Sequence, residues 1–212
     1  MKIRTKEDLQ NYISDDLAWR KKELSNLYND VKTANPKRLP TSLRCAVVIL
    51  YAHWEGFIKN AAQIYLIYIK SRRLTLVEVN NNLLALSLKQ KINEFNATNK
   101  ATCHVKFVDF FLNNLGERAN FSETDSIRTG SNLSSTILEE ILATIGIEFT
   151  PYELKSNLID GQLLHYRNTI AHGNYLPMDK TEYETLHSEV IRMLDSISID
   201  ITNATVLEYF RL

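Results

Sequence analysis

The chain has 212 residues, of which 44% are hydrophobic and 24% are charged, which is ordinary for a globular domain. Lys plus Arg and Asp plus Glu both number 25, so the formal net charge is zero. No overall field therefore draws this protein onto nucleic acid, which counts against a broad duplex-DNA binder but leaves local phosphate contacts open.

Two long helices are predicted in the first third of the chain. Thr5 and Asp8 are spaced as in a helix start, and apolar residues then repeat at helical spacing until the proline-containing segment 35–40. A second helix is predicted over residues 41–73. Its first half, residues 45–52, is apolar nearly all round, so we expect it to be a central helix covered on several sides.

Shorter elements are predicted in the middle of the chain. Residues 83–95 form a leucine-rich helical pattern, and residues 105–115 form a short aromatic helix that we expect to lie in the core. Residues 117–132 are polar and indicate a loop, either a cover over a groove or a plain connection. A further helix is predicted over residues 136–145.

The last third contains two predicted helices. One covers residues 152–171, and the other starts near residue 179 and continues to Ile197. The tail, residues 199–212, fits a helix or a strand equally well. The total of six or seven helices without a firm strand predicts an all-α, antiparallel helical bundle, which we expect to be one domain over residues 1–212.

The most informative stretch lies at the end of the helix predicted over residues 152–171. Four apolar residues there share one stripe of a regular helix: Leu163, Leu164, Ile170 and Ala171. Arg167 lies inside that stripe, so its guanidinium should point toward the packed side. A buried permanent charge requires a partner, and Arg167 should therefore face an anion or a polar groove.

His172 follows Arg167 after four intervening residues and precedes Gly173, a residue type that commonly closes helices. On a regular helix the two side chains point about 140° apart. They converge only if the helix frays at His172 or if a second copy supplies the missing member. A symmetric dimer would gather two Arg and two His along one groove. A structural alternative stays open, in which His172 caps helix carbonyls and Arg167 holds a structural carboxylate.

Glu55 also has two interpretations. It is spaced for an ordinary ion pair with Lys59, four residues later on the second helix. Alternatively it is the anion that Arg167 needs, or a carboxylate that lines a groove. Candidate phosphate contacts elsewhere are Lys70, Arg72 and Arg73, or Lys37 and Arg38, although such clusters are commonly solvated helix ends.

No metal or cofactor is expected. His165 and His172 share a helix face but stand about 10 Å apart along the axis, too far to bind one zinc ion. Cys45 and Cys103 lack metal-ligand spacing, and two cysteines fit a reduced, cytoplasmic protein. The N-terminus has no apolar signal-peptide core, and no segment is apolar enough to span a bilayer, so we expect no membrane partner.

The run from Arg167 to Gly173, with a polar residue directly after the Arg and a helix in front, resembles the Arg-x4-6-His motif of the HEPN superfamily. Residues 50–59 resemble the second helix of its prokaryotic RiboL-PSP-HEPN-like branch, which is linked to RNA-ligase and phosphorothioate-defence systems. Residues 131–147 are similar to that branch too. The resemblance covers most of residues 40–200.

The resemblance implies an all-helical domain, usually a homodimer, whose active members are metal-independent endoribonucleases. In that interpretation Arg167 and His172 are the catalytic pair, Asn168 supports them, and Glu55 is a supporting carboxylate. RNA is cut without metal when its 2′-hydroxyl attacks the adjacent phosphate. Histidine, with an unperturbed pKa of about 6.5, can move the proton, and arginine can stabilise the phosphorane. The products are a 2′,3′-cyclic phosphate and a 5′-hydroxyl.

The leading hypothesis is therefore an endoribonuclease that cuts single-stranded RNA as a toxin or antiphage-defence effector. Its expected partners are a second copy of the chain, the RNA substrate, and a neutralising antitoxin or defence-system protein. The alternative is a catalytically silent HEPN dimer that binds a nucleotide or a partner protein through the same groove.

Overall fold

The structure, a computed structural model, describes residues 3–212. These residues form eight α-helices: α1 (Lys6–Thr33), α2 (Leu39–Ser71), α3 (Asn81–Asn96), α4 (Ala101–Asn113), α5 (Glu123–Ser126), α6 (Ser135–Ile145), α7 (His165–Ala171) and α8 (Lys180–Val206). A 3-10 segment, Thr150–Lys155, and a π-helical segment, Leu158–Leu164, precede α7. Within residues 3–212, the β-structure amounts to two isolated bridges. The predicted all-α class is confirmed.

The elements differ from the predicted six or seven helices in two places. The polar segment between α4 and α6 contains the single-turn helix α5. The helix predicted over residues 152–171 is divided into the 3-10 segment, the π segment and α7. The tail is helical as far as Val206, because α8 continues through the stretch that the sequence left undecided.

The N-terminal helices α1 and α2 pack against each other in opposite directions. Tyr12 Oη donates a hydrogen bond to Asn60 Oδ1 at 3.1 Å, and Arg20 Nη1 lies 3.4 Å from His53 Nδ1. Gly56 makes room for this arginine, since a Cβ there would lie 2.9 Å from Arg20 Nη1. The Tyr12–Asn60 and Arg20–His53 contacts fix the rotation of α2 about its own axis. That rotation decides which side chains of α2 face α7.

Helix α8 runs antiparallel to α1 and completes the long-helix layer. Lys21 Nζ lies 2.6 Å from Asp195 Oδ1, and near the other end Lys6 Nζ donates to the Val206 carbonyl at 3.0 Å. The core between the long helices contains large, fully buried aromatic side chains, including Trp54, Phe57, Tyr65, Tyr68, Tyr183 and Phe210. Nowhere in residues 3–212 is there a helix with the length and apolar character needed to cross a membrane.

Helix α2 is covered on several sides, as expected, by α1, α7 and α8, but one stripe of its first half stays open. Cys45 and Ala52 are exposed, and Val48 and Ile49 between them are half-buried. Val48 and Ile49 each lie three or four positions from both Cys45 and Ala52, so the four residues form one stripe along the helix. We call Cys45, Val48, Ile49 and Ala52 the α2 stripe. It is an apolar surface that α1, α7 and α8 leave open.

The expectation that the aromatic helix lies in the core is wrong. Helix α4 contains no buried residue, and Val105 and Leu112 are 66% and 71% exposed. The helix that α4 packs against most extensively is α3. Phe107 meets Phe95 of α3 with ring centroids 5.2 Å apart, whereas Val105, Val108 and Leu112 of α4 are exposed.

Two histidines outside the Arg167 region sit in protected positions. Burial lowers the pKa of His187, which lies between Tyr28 and Tyr183, and its Nε2 has no hydrogen-bond partner. Burial also lowers the pKa of His53, although Glu23 Oε2 at 2.7 Å from His53 Nε2 opposes that effect. Both groups favour their neutral form in the folded protein.

Stability should therefore fall as the pH drops below about 6.5, the pKa of an unfolded histidine. Between that value and the lowered folded pKa, the unfolded chain binds more protons than the folded one, so unfolding is favoured. His187→Phe removes one of these groups and its unpaired nitrogen. Its thermal midpoint should fall less than the wild-type midpoint between about pH 7 and about pH 5. An equal fall in both proteins would contradict the assignment.

Candidate functional site

Helix α7 is reached through a π-helical segment whose own contacts fix its position. Asp160, within that segment, accepts hydrogen bonds from Ser135 N at 2.7 Å and from Ser135 Oγ at 2.5 Å. Ser135 is the first residue of α6, so the carboxylate lies where a helix N-terminus favours negative charge. Asp160 therefore ties the approach of α7 to α6. π-Helical turns are rare and are frequently found at functional sites.

The π segment corrects the prediction of one regular helix over residues 152–171. It does not change the direction predicted for Arg167, because the helix is regular from His165 onward. Leu163 is buried, and Arg167 and Ile170 are half-buried. Ala171, which we expected on the packed side, is exposed.

Arg167 lies against α2, with 18% of its side chain exposed. Its Nη2 is 3.8 Å from Glu55 Oε2 and also donates to the Ser131 carbonyl, while its Nη1 donates to Asn168 Oδ1 at 2.7 Å. The guanidinium carbon lies 4.2 Å from the ring centroid of Tyr51, a cation–π distance. The guanidinium is thus held by four groups from three parts of the chain.

The carboxylate beside Arg167 is therefore Glu55, one of the two roles considered for it. Within residues 3–212 the alternative ion pair with Lys59 does not form, and Lys59 is exposed. Glu55 Oε1 accepts a further hydrogen bond from Thr129, which is buried. A half-buried ion pair with a second hydrogen bond fixes the orientation of both partners.

Residues 127–133, which we call the strap, place Thr129 and Ser131 beside the Arg167–Glu55 ion pair. Leu133 N donates to Tyr51 Oη at 2.6 Å, and burial raises the pKa of the Tyr51 phenol, which stays protonated. Gly130 and Ser131 both have positive φ, 59° and 61°. The polar loop is thus more than a plain connection, since it contacts Arg167 directly.

His172 follows Arg167 by five positions, about 140° round a regular helix, and is exposed. It is the C-cap of α7, and its amide still donates to the Asn168 carbonyl at 3.0 Å. The next residues close the helix, with Asn174 N donating to Thr169 O at 3.0 Å and Gly173 at a φ of 77°. The helix therefore does not fray before His172, and within residues 3–212 no hydrogen bond or ion pair joins this imidazole to the groups around Arg167.

A profile of the RiboL-PSP-HEPN family matches residues 15–203, which is most of the chain. The chain belongs to the RiboL-PSP-HEPN family. Neither the curated proteins nor the solved structures include a significant match to it. Membership associates this HEPN chain with nuclease or RNA-related function, and HEPN domains often dimerise and bind RNA.

Of the four residues predicted for the site of this HEPN protein, the structure brings three together and leaves one apart. Arg167, Asn168 and Glu55 form one cluster. His172 is at the end of the same helix but faces outward. Asn168 orients the Arg167 guanidinium, because its side-chain oxygen accepts a hydrogen bond from Arg167 Nη1.

Sequence reasoning missed Arg44 of the HEPN domain. Its Nη1 donates to the Asn174 carbonyl at 2.8 Å, so this α2 residue holds the turn directly after His172. The two residues are 130 positions apart in the chain, and no local pattern connects them. Tyr51 and Ser131 were missed for the same reason. A search for arginines on the α7-facing side of α2 would have found Arg44, because it lies eleven residues before Glu55 at helical spacing.

Proposed function

We propose that this HEPN protein is a metal-independent endoribonuclease that cuts single-stranded RNA and acts as a toxin or antiphage-defence effector. The observation that carries the proposal is the difference between the environments of Arg167 and His172 on α7. Arg167 is oriented by Glu55 and Asn168, while His172, five residues later, is exposed and has no side-chain hydrogen bond within residues 3–212. A held cation and a free imidazole are what cleavage through the 2′-hydroxyl requires.

The active form is proposed to be a homodimer that faces two α7 ends across one cleft. Support comes from the α2 stripe, which is apolar, exposed or half-buried, and next to the site. Covering this stripe would remove apolar surface from water. A two-fold axis there sets the same patch of both subunits face to face, so that each His172 approaches the other subunit's Arg167.

In the proposed reaction, His172 of one subunit removes the proton from the 2′-hydroxyl as its oxygen attacks phosphorus. The bond from phosphorus to the 5′ oxygen breaks, and the partner subunit's His172 gives that oxygen a proton. Arg167 stabilises the additional negative charge on the phosphorane oxygens. The products are a 2′,3′-cyclic phosphate and a 5′-hydroxyl, and exchange with water restores both imidazoles.

The direct test is incubation of the purified protein with transfer RNA and messenger RNA in EDTA. We expect cleavage that leaves 2′,3′-cyclic phosphate and 5′-hydroxyl ends, mapped by end-specific ligation and mass spectrometry. The chemistry needs no metal, so added magnesium should not be required. Cleavage that depends on a divalent ion, or products with 5′-phosphates, would contradict the mechanism.

One observation favours the alternative, a silent HEPN dimer that binds a nucleotide or partner protein. Both Nη atoms of Arg167 already donate to protein groups, Asn168 Oδ1 and the Ser131 carbonyl. A phosphate must displace at least one of them. Expression in a bacterial host separates the two functions. Growth arrest that H172A abolishes supports the nuclease, whereas arrest that persists in H172A supports the silent module.

A further inference from the structure

A second concentration of positive charge lies at the C-terminal end of α2, away from Arg167. An open pocket of about 470 Å³ there is lined by four cationic side chains, Arg4, Lys70, Arg73 and Arg118, together with Ile3, Ile67 and Ser71. The cations come from the N-terminal segment, the end of α2 and the segment after α4. In a chain with no net charge, four cations around one pocket are a local excess.

One of the four pocket cations, Lys70, has a carboxylate partner in the part of the chain that the structure describes, and the three arginines do not. Glu123 pairs with Lys70 at 3.1 Å, and Asp8 accepts hydrogen bonds from the backbone amide of Arg4 rather than its guanidinium. Within residues 3–212, no carboxylate oxygen lies within 4.0 Å of the guanidinium of Arg4, Arg73 or Arg118. Arg118 makes one contact there, from Nη2 to the Lys70 carbonyl at 2.9 Å.

The backbone at Arg73 is unusual for an arginine. Its φ is 58°, in the left-handed region that glycine adopts without strain, and Gly146 closes α6 in that way at 72°. Glu208 also has a positive φ, but its side chain pairs with Lys6 and Arg211. Arg73 has no such carboxylate partner in the described chain. A strained position that keeps a cation suggests that the cation binds something outside the subunit.

The pocket is connected to Arg167 along α2. Ala52, Lys59, Gln63 and Lys70 lie within about 40° of arc on this helix, and all four are exposed or half-buried. The fifteen residues from Glu55 to Lys70 correspond to about 22 Å along the axis. The segment from Arg118 to Ser131 borders this surface, since it contacts Lys70 at one end and Arg167 at the other.

We propose that the pocket formed by Arg4, Lys70, Arg73 and Arg118 binds phosphates of the RNA strand, about 22 Å along α2 from the cut. The inference rests on the proposed nuclease function. Long, flexible cations without aromatic side chains for base stacking grip a backbone and read no sequence. The pocket therefore supplies affinity for single strands of any sequence, while Arg167 and His172 act at the cleavage point.

The test measures binding of the full-length protein to a fluorescent 2′-O-methyl RNA strand, which lacks the hydroxyl needed for cleavage. Arg73→Gly removes one cation and relieves the backbone strain. We expect about three- to tenfold weaker binding, a salt dependence shallower by about 0.7 in log–log slope, and a thermal midpoint equal to or above that of wild type. Arg73→Lys should keep most of the affinity. Arg192→Gln, which removes an exposed cation on α8, is the matched charge control and should bind like wild type.

Two results would overturn the pocket. One is that R73G binds the RNA strand as tightly as wild type does. The other is that R192Q loses as much affinity for this strand as R73G does. The nuclease proposal fails separately. A wild type that binds the uncleavable strand through Arg73 but never cuts RNA supports the pocket and refutes the nuclease. Cleavage with unchanged R73G binding overturns the pocket alone.

Discussion

Replacing His172 with alanine should lower the rate of RNA cleavage by about 10²- to 10⁴-fold, because positioned proton transfer contributes about that much. The fold should survive, since this side chain is exposed and donates no hydrogen bond within the described residues. The turn that follows α7 is held by backbone contacts and by Arg44, which the substitution leaves in place. Stability should change by no more than about 0.5 kcal/mol.

The same helix offers a matched control. His165 is the first residue of α7, is exposed and likewise has no side-chain hydrogen bond among residues 3–212. His165→Ala removes an identical group about 10 Å from His172 along the helix. It should cut RNA at the wild-type rate in initial-rate assays with matched protein concentrations. Equal losses in both variants, or a fully active H172A, would remove His172 from the reaction.

The direction of Arg167 was predictable because it follows from local periodicity. An arginine inside an apolar helical stripe has to face the packed side, and a charge on that side has to meet an opposite charge. That argument leads from Arg167 to Glu55 as a candidate, and the two lie 3.8 Å apart. Helix starts were predictable for the same reason, as the capping boxes at Thr5 and Asp179 show.

The remaining contacts of the site depend on the tertiary structure. Ser131 reaches Arg167 across 36 positions, and Arg44 reaches Asn174 across 130. No short pattern encodes either contact, since each depends on how α2, α7 and the strap are placed together. The π segment is similar. Its position depends on the Asp160 bond to α6, which propensity within residues 158–164 does not reveal.

Periodicity also failed to show what covers an apolar face. The first half of α2 and the aromatic side of α4 are hydrophobic in the sequence, yet both have exposed stripes. Hydrophobic patterns show that a surface prefers contact but do not say whether the contact lies within the subunit. For α2, whose open stripe adjoins the site, a second copy is the partner that the proposed reaction requires.

A shared site predicts that inactive subunits inhibit active ones. When wild-type protein exchanges subunits with an equal amount of H172A, about a quarter of the dimers contain two wild-type chains. If the reaction needs both imidazoles, activity should fall to about a quarter of that of an all-wild-type sample at the same total protein concentration, whereas subunits that cut alone would retain about half. With a ninefold excess of H172A, cleavage per wild-type subunit should fall about tenfold. The measurement is the initial rate after co-incubation long enough for exchange, with dimerisation checked by light scattering.

H165A subunits distinguish this effect from simple dilution. They should exchange as readily as H172A subunits but carry an intact His172, so the mixture should keep the summed activity of its components. A rate that falls in direct proportion to the wild-type fraction would mean that each subunit cuts alone. In that case Arg167 and His172 of one chain must meet by a rearrangement of the α7 end, and the turn held by Arg44 would have to open. A cleavage rate that falls with the square of the wild-type fraction in H172A mixtures, but not in H165A mixtures, places the two imidazoles in one cleft.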